Sequence, residues 1–153
     1  MIFPIEKLIN AATAAREKAY APYSNFRVGA AILTKEARYY TGCNIENASY
    51  GLTCCAERVA LFKAVSNNER AFEAIAITAG TSEYCPPCGA CRQVLAEFGT
   101  NIKVYMANSA GQYIMKTVAE LLPDSFGLKE PKQAEDCPEV EKTVTKLIEP
   151  VNR

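Results

Sequence analysis

Two short segments about thirty residues apart, Cys55-Ala56-Glu57 and Pro87-Cys88-Gly89-Ala90-Cys91, constrain this chain more than any other feature. A Cys-x-x-Cys at the start of a helix lets the first cysteine cap the helix while the second reaches back from the first turn, so two thiolates converge on one ion. Cys55, at the start of a facing helix, supplies a third. The fold must therefore deliver two helix starts to one point. Helix starts also carry partial positive charge and free N–H donors, which favour thiolate over thiol. Residues two apart sit roughly 200° apart around a helix, yet at its end both reach a ligand near the axis. Glu57 can thus stand beside a metal bound by Cys55 without binding it.

Three protein ligands with one open position is the arrangement of a catalytic zinc, whereas a structural zinc takes four. Three thiolates on Zn²⁺ leave a net charge of minus one, and Arg58 and Arg92, each directly after a motif residue, are placed to donate to the sulfurs and offset it. Cys54 and Cys85 also lie near the candidate ligands, which keeps a closed four-cysteine site open on counting alone. Two arguments weigh against it: adjacent side chains such as Cys54 and Cys55 diverge, and the prolines of Cys85-Pro86-Pro87-Cys88 hold the backbone extended and carry Cys85 away from the helix end. Cys43 and Cys137 read as small buried hydrophobes.

Composition narrows the chemistry. The chain has 153 residues, enough for one domain with a full core, and its 49% apolar and 22% charged residues are ordinary for a globular protein. It contains 0 histidines, so Ser-His, Cys-His and His-metal mechanisms are excluded, and acid–base work falls to Glu, Asp, Cys, Lys or Tyr. Lys+Arg and Asp+Glu both number 17, which disfavours a nucleic-acid partner. No stretch is apolar for long enough to span a bilayer, and no signal segment is visible, so a cytoplasmic protein without a membrane partner is expected. Seven cysteines in a reducing compartment point to metal or catalysis before disulfides.

Periodicity places the motifs. Ile5 to Tyr20 carries apolar residues at helical spacing, and Ala21-Pro22-Tyr23-Ser24-Asn25 breaks it. Phe26–Leu33 and Arg38–Asn44 read as an antiparallel hairpin, Cys55–Ser66 as a central helix, and Phe72–Thr78 as a strand. Cys88–Phe98 reads as a helix stopping at Gly99, and Lys103–Ala107 as a strand joined to the previous one by a parallel crossover. The fold expected is α/β, a three-layer α-β-α arrangement with a central mixed sheet of about five strands. Residues 129–153 form an extension in which Val140, Val144, Leu147 and Ile148 follow a helical period behind Pro138; the alternative is a solvated tail.

The pattern Cys55-x-Glu57…Pro87-Cys88-x-x-Cys91 resembles the zinc deaminase signature H-x-E…P-C-x-x-C with cysteine in place of histidine. Phe26-Arg27-Val28-Gly29-Ala30-Ala31, Cys43-Asn44-Ile45-Glu46-Asn47-Ala48-Ser49-Tyr50-Gly51 and Cys88-Gly89-Ala90-Cys91-Arg92-Gln93-Val94-Leu95 extend the likeness to the small homotetrameric cytidine deaminases of pyrimidine salvage. The resemblance covers about residues 8–128 and makes 1–128 the catalytic domain. It implies a Zn²⁺ cofactor on Cys55, Cys88 and Cys91, water as co-substrate, and cytidine or 2′-deoxycytidine as substrate. Glu57 is then the proton shuttle between the attacking water and N3 of the ring. The resemblance also implies that Asn44 and Glu46 bind the ribose hydroxyls, that Phe26 packs against the nucleoside, and that the Ala56 backbone touches the base. Tyr50 lies in the segment expected at a shared subunit interface, and Phe126 is the aromatic expected to close a neighbour's pocket. Without the resemblance, Asn44-Ile45-Glu46-Asn47 reads as a polar strand exit and Phe26 as core. Competing readings are a deaminase of another aminated nucleoside and a non-catalytic zinc-stabilised binding module; a structural zinc has no need of Glu57.

Overall fold

The computed structural model describes residues 3–127. Its first helix, α1 (Ile5–Arg16), follows Pro4 at its N-cap, has Glu6 in its first turn and Arg16 in its last, and buries Leu8, Ile9, Ala12 and Ala15 along one face. It ends four residues short of the expected Tyr20. Arg16 turns its guanidinium onto the Ala79 carbonyl, and Tyr20 leaves the helix to pair with the segment around Ile45.

Strands β1 (Gly29–Thr34) and β2 (Tyr39–Cys43) form the expected antiparallel hairpin. The strand expected from Phe26 starts only at Gly29. The Asn44 side chain takes the backbone groups at Phe26 and Val28 before a neighbouring strand can use them. Helix α2 (Ala56–Ser66) leads to β3 (Phe72–Thr78), then α3 (Gly89–Ala96) and β4 (Lys103–Ala107), and β3 and β4 are parallel as the crossover demands. Strand β5 (Tyr113–Thr117) and the one-turn helix α4 (Val118–Leu121) complete the order, with α4 held by a Thr117–Glu120 capping box. The sheet runs β2-β1-β3-β4-β5 and is mixed, since β3 is antiparallel to β1 and parallel to β4.

Side chains alternate across this sheet and bury on both sides, which is why β1, β3 and β4 read as continuous apolar runs. On one face Ala30, Ile32, Ile75, Ile77, Val104 and Met106 pack with Ala60 and Leu61 of α2, Leu95 of α3 and Val118 of α4. On the other, Ala31, Leu33, Ala74, Ala76, Tyr105 and Ala107 meet Leu8, Ile9 and Ala12 of α1. The result is the three-layer α-β-α fold with five strands. Among the described residues no helix is long and apolar enough to cross a membrane. The helix expected around Val140–Ile148, and Cys137, lie outside the described residues.

Candidate active site

The metal end of the site is set by how closely α2 lies on β2. A Cβ at Gly42 would fall 2.4 Å from both the Ala56 carbonyl oxygen and the Ala60 nitrogen, so only glycine lets the helix start rest main chain to main chain on the strand. Cys55 is the N-cap of α2 and Cys88 the N-cap of α3, with Cys91 fully buried in the first turn of α3. Their three sulfurs lie within 4.8 Å of one another. The Cys55 and Cys88 sulfurs are 3.7 Å apart. Two Zn–S bonds of ~2.3 Å at a tetrahedral angle place sulfurs ~3.8 Å apart, so the Cys55–Cys88 pair has the spacing that zinc asks for.

Charge around the thiols is unevenly shared. Hydrogen bonding from the Cys91 thiol, reinforced by Arg58 and Cys88, pulls the Cys55 thiol down to about 5, while the same contact and burial hold the Cys91 proton in place. Metal binding must displace that proton. Glu57, 5% exposed in the first turn of α2, is pushed up to about 7 by its burial, with the neighbouring Cys55 charge adding to the effect. A carboxyl held near neutrality beside a metal site can take and return a proton.

The two arginines part company. Arg58 donates to the Cys55 sulfur at 3.7 Å and to the Thr53 carbonyl at 3.0 Å, as its position next to Glu57 led us to expect. Arg92 does not reach a sulfur: its Nε donates to the Pro87 carbonyl and its Nη1 to the Leu121 carbonyl, both at 2.8 Å. One turn into α3, the long side chain points back along the loop that precedes the helix, so Arg92 braces the Cys88 loop against α4 instead of neutralising thiolate charge. Cys54 and Cys85 fall outside the sulfur cluster, and burial pushes Cys85 up to about 11, keeping it a thiol. The grouping is therefore three cysteines, not four. Cys43 is half-buried and not the fully buried hydrophobe expected.

The second group of candidate residues stands on loops, tied to the segment before α2 by the Ile45–Cys54 bridge. Asn44, 8% exposed, accepts from the Val28 N–H and donates to the Phe26 carbonyl, both at 2.8 Å, so its amide locks the loop before β1 and keeps one N–H and one lone pair for a ligand. The Glu46 carboxylate accepts from the Tyr23 N–H at 2.9 Å, the Ser24 N–H at 3.3 Å and the Ser24 hydroxyl. The Ser24 hydroxyl, more than any other group, holds the Glu46 carboxyl below the usual carboxylate range. Nothing in the sequence flagged Ser24, because a turn residue that bonds 22 positions away leaves no local pattern.

Phe26 is 47% exposed and is not core. Tyr50 is 75% exposed in the short turn Tyr50–Leu52 and meets Tyr23 edge-on, ring centroids 6.0 Å apart. Ala56 is fully buried, main chain included. Phe126 is 72% exposed, its carbonyl accepting from Gln93 of α3 at 3.2 Å. Three hollows of about 420, 460 and 690 Å³ indent the chain, but the thiols, Glu57, Asn44 and Glu46 line none of them.

Two helix starts with three convergent thiols and an uncoordinated buried glutamate match a known architecture. The family model described as the cytidine and deoxycytidylate deaminase zinc-binding region matches residues 4–107. The chain belongs to the cytidine and deoxycytidylate deaminase family. Among members of that family it is similar to the cytidine deaminase of Sporosarcina psychrophila, 53% identical over 123 residues that cover 80% of this chain and 90% of the relative. Likeness to the Halalkalibacterium halodurans cytidine deaminase is comparable: 56% over 122 residues, 79% of this chain and 92% of the relative. The crystal structure of the Burkholderia pseudomallei cytidine deaminase superposes with a TM-score of 0.79 at 50% identity, covering 81% of this chain and 100% of that one. Zinc is thus the family's metal, and the Cys55, Cys88 and Cys91 cluster is able to hold it.

Proposed function

We propose that this chain hydrolyses the amino group at C4 of cytidine and 2′-deoxycytidine, releasing ammonia and leaving uridine and 2′-deoxyuridine. The observation that carries this reading is the pairing of three convergent thiols with Glu57, a buried carboxylate that is not one of the ligands. Zinc, when bound by Cys55, Cys88 and Cys91, supplies Lewis-acid activation of a water. Glu57 takes a proton from the attacking water and delivers it to N3. It then moves the second proton to the amino group, and C4=O forms as the C–N bond breaks and ammonia leaves. N3 keeps the first proton, so the atoms of cytidine and water are all accounted for in uridine and ammonia. Arg58 offsets thiolate charge through its contact with Cys55.

In this reading Phe26 packs against the nucleoside, Asn44 and Glu46 hold the ribose hydroxyls, and the Ala56 backbone touches the base. The exposure of Phe26, Tyr50 and Phe126 supports a site finished by neighbouring subunits, with Tyr50 at the interface and Phe126 lent to a neighbour in a homotetramer. Residues 1–128 are the catalytic unit and 129–153 an appendage. The six cysteines among the described residues are all free, which fits a reducing cytoplasm.

The test is deamination of cytidine and deoxycytidine followed by ultraviolet absorbance, with zinc determined on the same sample. Turnover of both nucleosides with about one zinc per chain is expected from three thiolates on one ion. Zinc without turnover of either nucleoside would overturn the substrate assignment.

A further inference from the structure

A carboxylate offers about four lone-pair positions to hydrogen-bond donors. Glu46 has three taken by its own chain: two backbone N–H groups on Oε2 and the Ser24 hydroxyl on Oε1. What remains for a ligand hydroxyl is one position on Oε1. The Ser24 hydroxyl has only one proton and it goes to Glu46, while its oxygen accepts from the Phe26 N–H at 3.0 Å. The same oxygen therefore ties the Glu46 carboxylate to the main chain that carries the Phe26 ring. The turn that presents it is tight: Asn25 N–H closes onto the Ala21 carbonyl at 3.0 Å, and Asn25 adopts a left-handed φ of 55°.

We infer that Ser24 is a positioning residue for sugar recognition: its hydroxyl fixes the direction of the free Oε1 lone pair of Glu46 and sets the distance between that lone pair and the Phe26 ring. Its place in the sequence, in a turn between helix and strand, assigns it no such role. The inference rests on the reading of Glu46 as the acceptor for a ribose hydroxyl. Without the Ser24 hydroxyl, Oε1 is free to rotate and to take up water, and the Phe26 N–H loses its acceptor. Glu46 remains anionic on its two backbone donors, so the effect falls on the recognition of a hydroxyl and not on the chemistry at C4.

The experiment compares cytidine with 2′,3′-dideoxycytidine, which has the same base and keeps the 5′-hydroxyl but offers no 2′- or 3′-hydroxyl, in wild type, Ser24→Ala and Ser24→Thr. Zinc content and thermal midpoint are measured alongside. For Ser24→Ala the KM for cytidine should rise about tenfold, as for loss of a hydrogen bond to a charged group, with kcat within about twofold of wild type. The KM for dideoxycytidine should not change, and Ser24→Thr, which restores a hydroxyl, should recover the cytidine KM. A rise of equal size for both substrates, or none for cytidine, overturns the positioning role. Should alanine loosen the loop enough to lower the thermal midpoint, Ser24→Cys keeps the shape with a weak donor and must show the same selective rise. If wild type itself binds both nucleosides equally well, it is the sugar reading of Glu46 that fails, and Ser24 loses its role with it.

Discussion

The two walls of the site are made by different means. The metal wall stands on helix starts that are seated against the sheet: Cys91 and Ala56 are fully buried and Glu57 nearly so. The wall proposed to hold the sugar stands on two loops stitched to each other, Tyr20 N–H to the Asn44 carbonyl at 3.0 Å and Glu46 N–H to the Tyr20 carbonyl at 2.8 Å, with its aromatic rings exposed. The first group is gathered and buried within one chain, and the second leaves Phe26 and Tyr50 uncovered in it. In the proposed reading, chemistry that needs a fixed distance is placed on the rigid scaffold and recognition on loops.

This contrast can be broken from either side. The largest effect belongs to Glu57→Gln, which keeps the shape of the side chain and removes its ability to carry a proton. Turnover should fall by about 10²–10⁴-fold with zinc content unchanged, and a variant that kept wild-type kcat would remove Glu57 from the mechanism. A smaller and opposite signature is expected of Phe126→Ala: KM for cytidine up by about tenfold, equivalent to ~1.4 kcal/mol of binding, with kcat held. Equal KM for the two proteins would mean that the exposed ring serves no pocket.

The smallest effect tests whether the far end of the sheet belongs to either wall. There Glu69, 4% exposed, is bonded by Arg38 and by the Tyr40 hydroxyl. The Arg38 guanidinium holds the Glu69 carboxyl below the usual carboxylate range. A carboxyl lowered by folding stabilises the native state above its ordinary pKa of ~4.3, and that contribution is lost as pH falls through the lowered value. Glu69→Gln should therefore reduce the thermal midpoint at pH 7, with the gap to wild type closing below about pH 4, and leave kcat and KM unchanged. A gap that persists in acid would assign the effect to packing instead of charge.

What was legible from the residues follows the same division. Strands Phe72–Thr78 and Lys103–Ala107 are visible at their true bounds because both faces bury and turn residues flank them. Strand β5 escaped because Tyr113, Ile114, Met115 and Lys116 are all exposed on an edge and show no alternation. The metal wall is readable because a Cys-x-x-Cys and a Cys-x-Glu each lie within one helical turn, so spacing alone reports geometry. On the loop wall, Glu46 meets Ser24 across 22 positions, and Asn44 meets Val28 across 16. Contacts of that kind are set by tertiary structure, and only the resemblance to a family pointed to Asn44 and Glu46 beforehand. Arg92 marks the limit of spacing: its neighbour Cys91 placed it correctly beside the metal loop, yet the direction of its side chain is decided by the carbonyls of Pro87 and Leu121.

At Gly42 there is no side chain between β2 and the first turn of α2, and a side chain is also a spacer that yields when a protein breathes. Backbone pressed on backbone has no rotamers to absorb motion. Any side chain at position 42 would have to push the whole start of α2 away from β2, and with it the Cys55 and Glu57 positions that this turn carries.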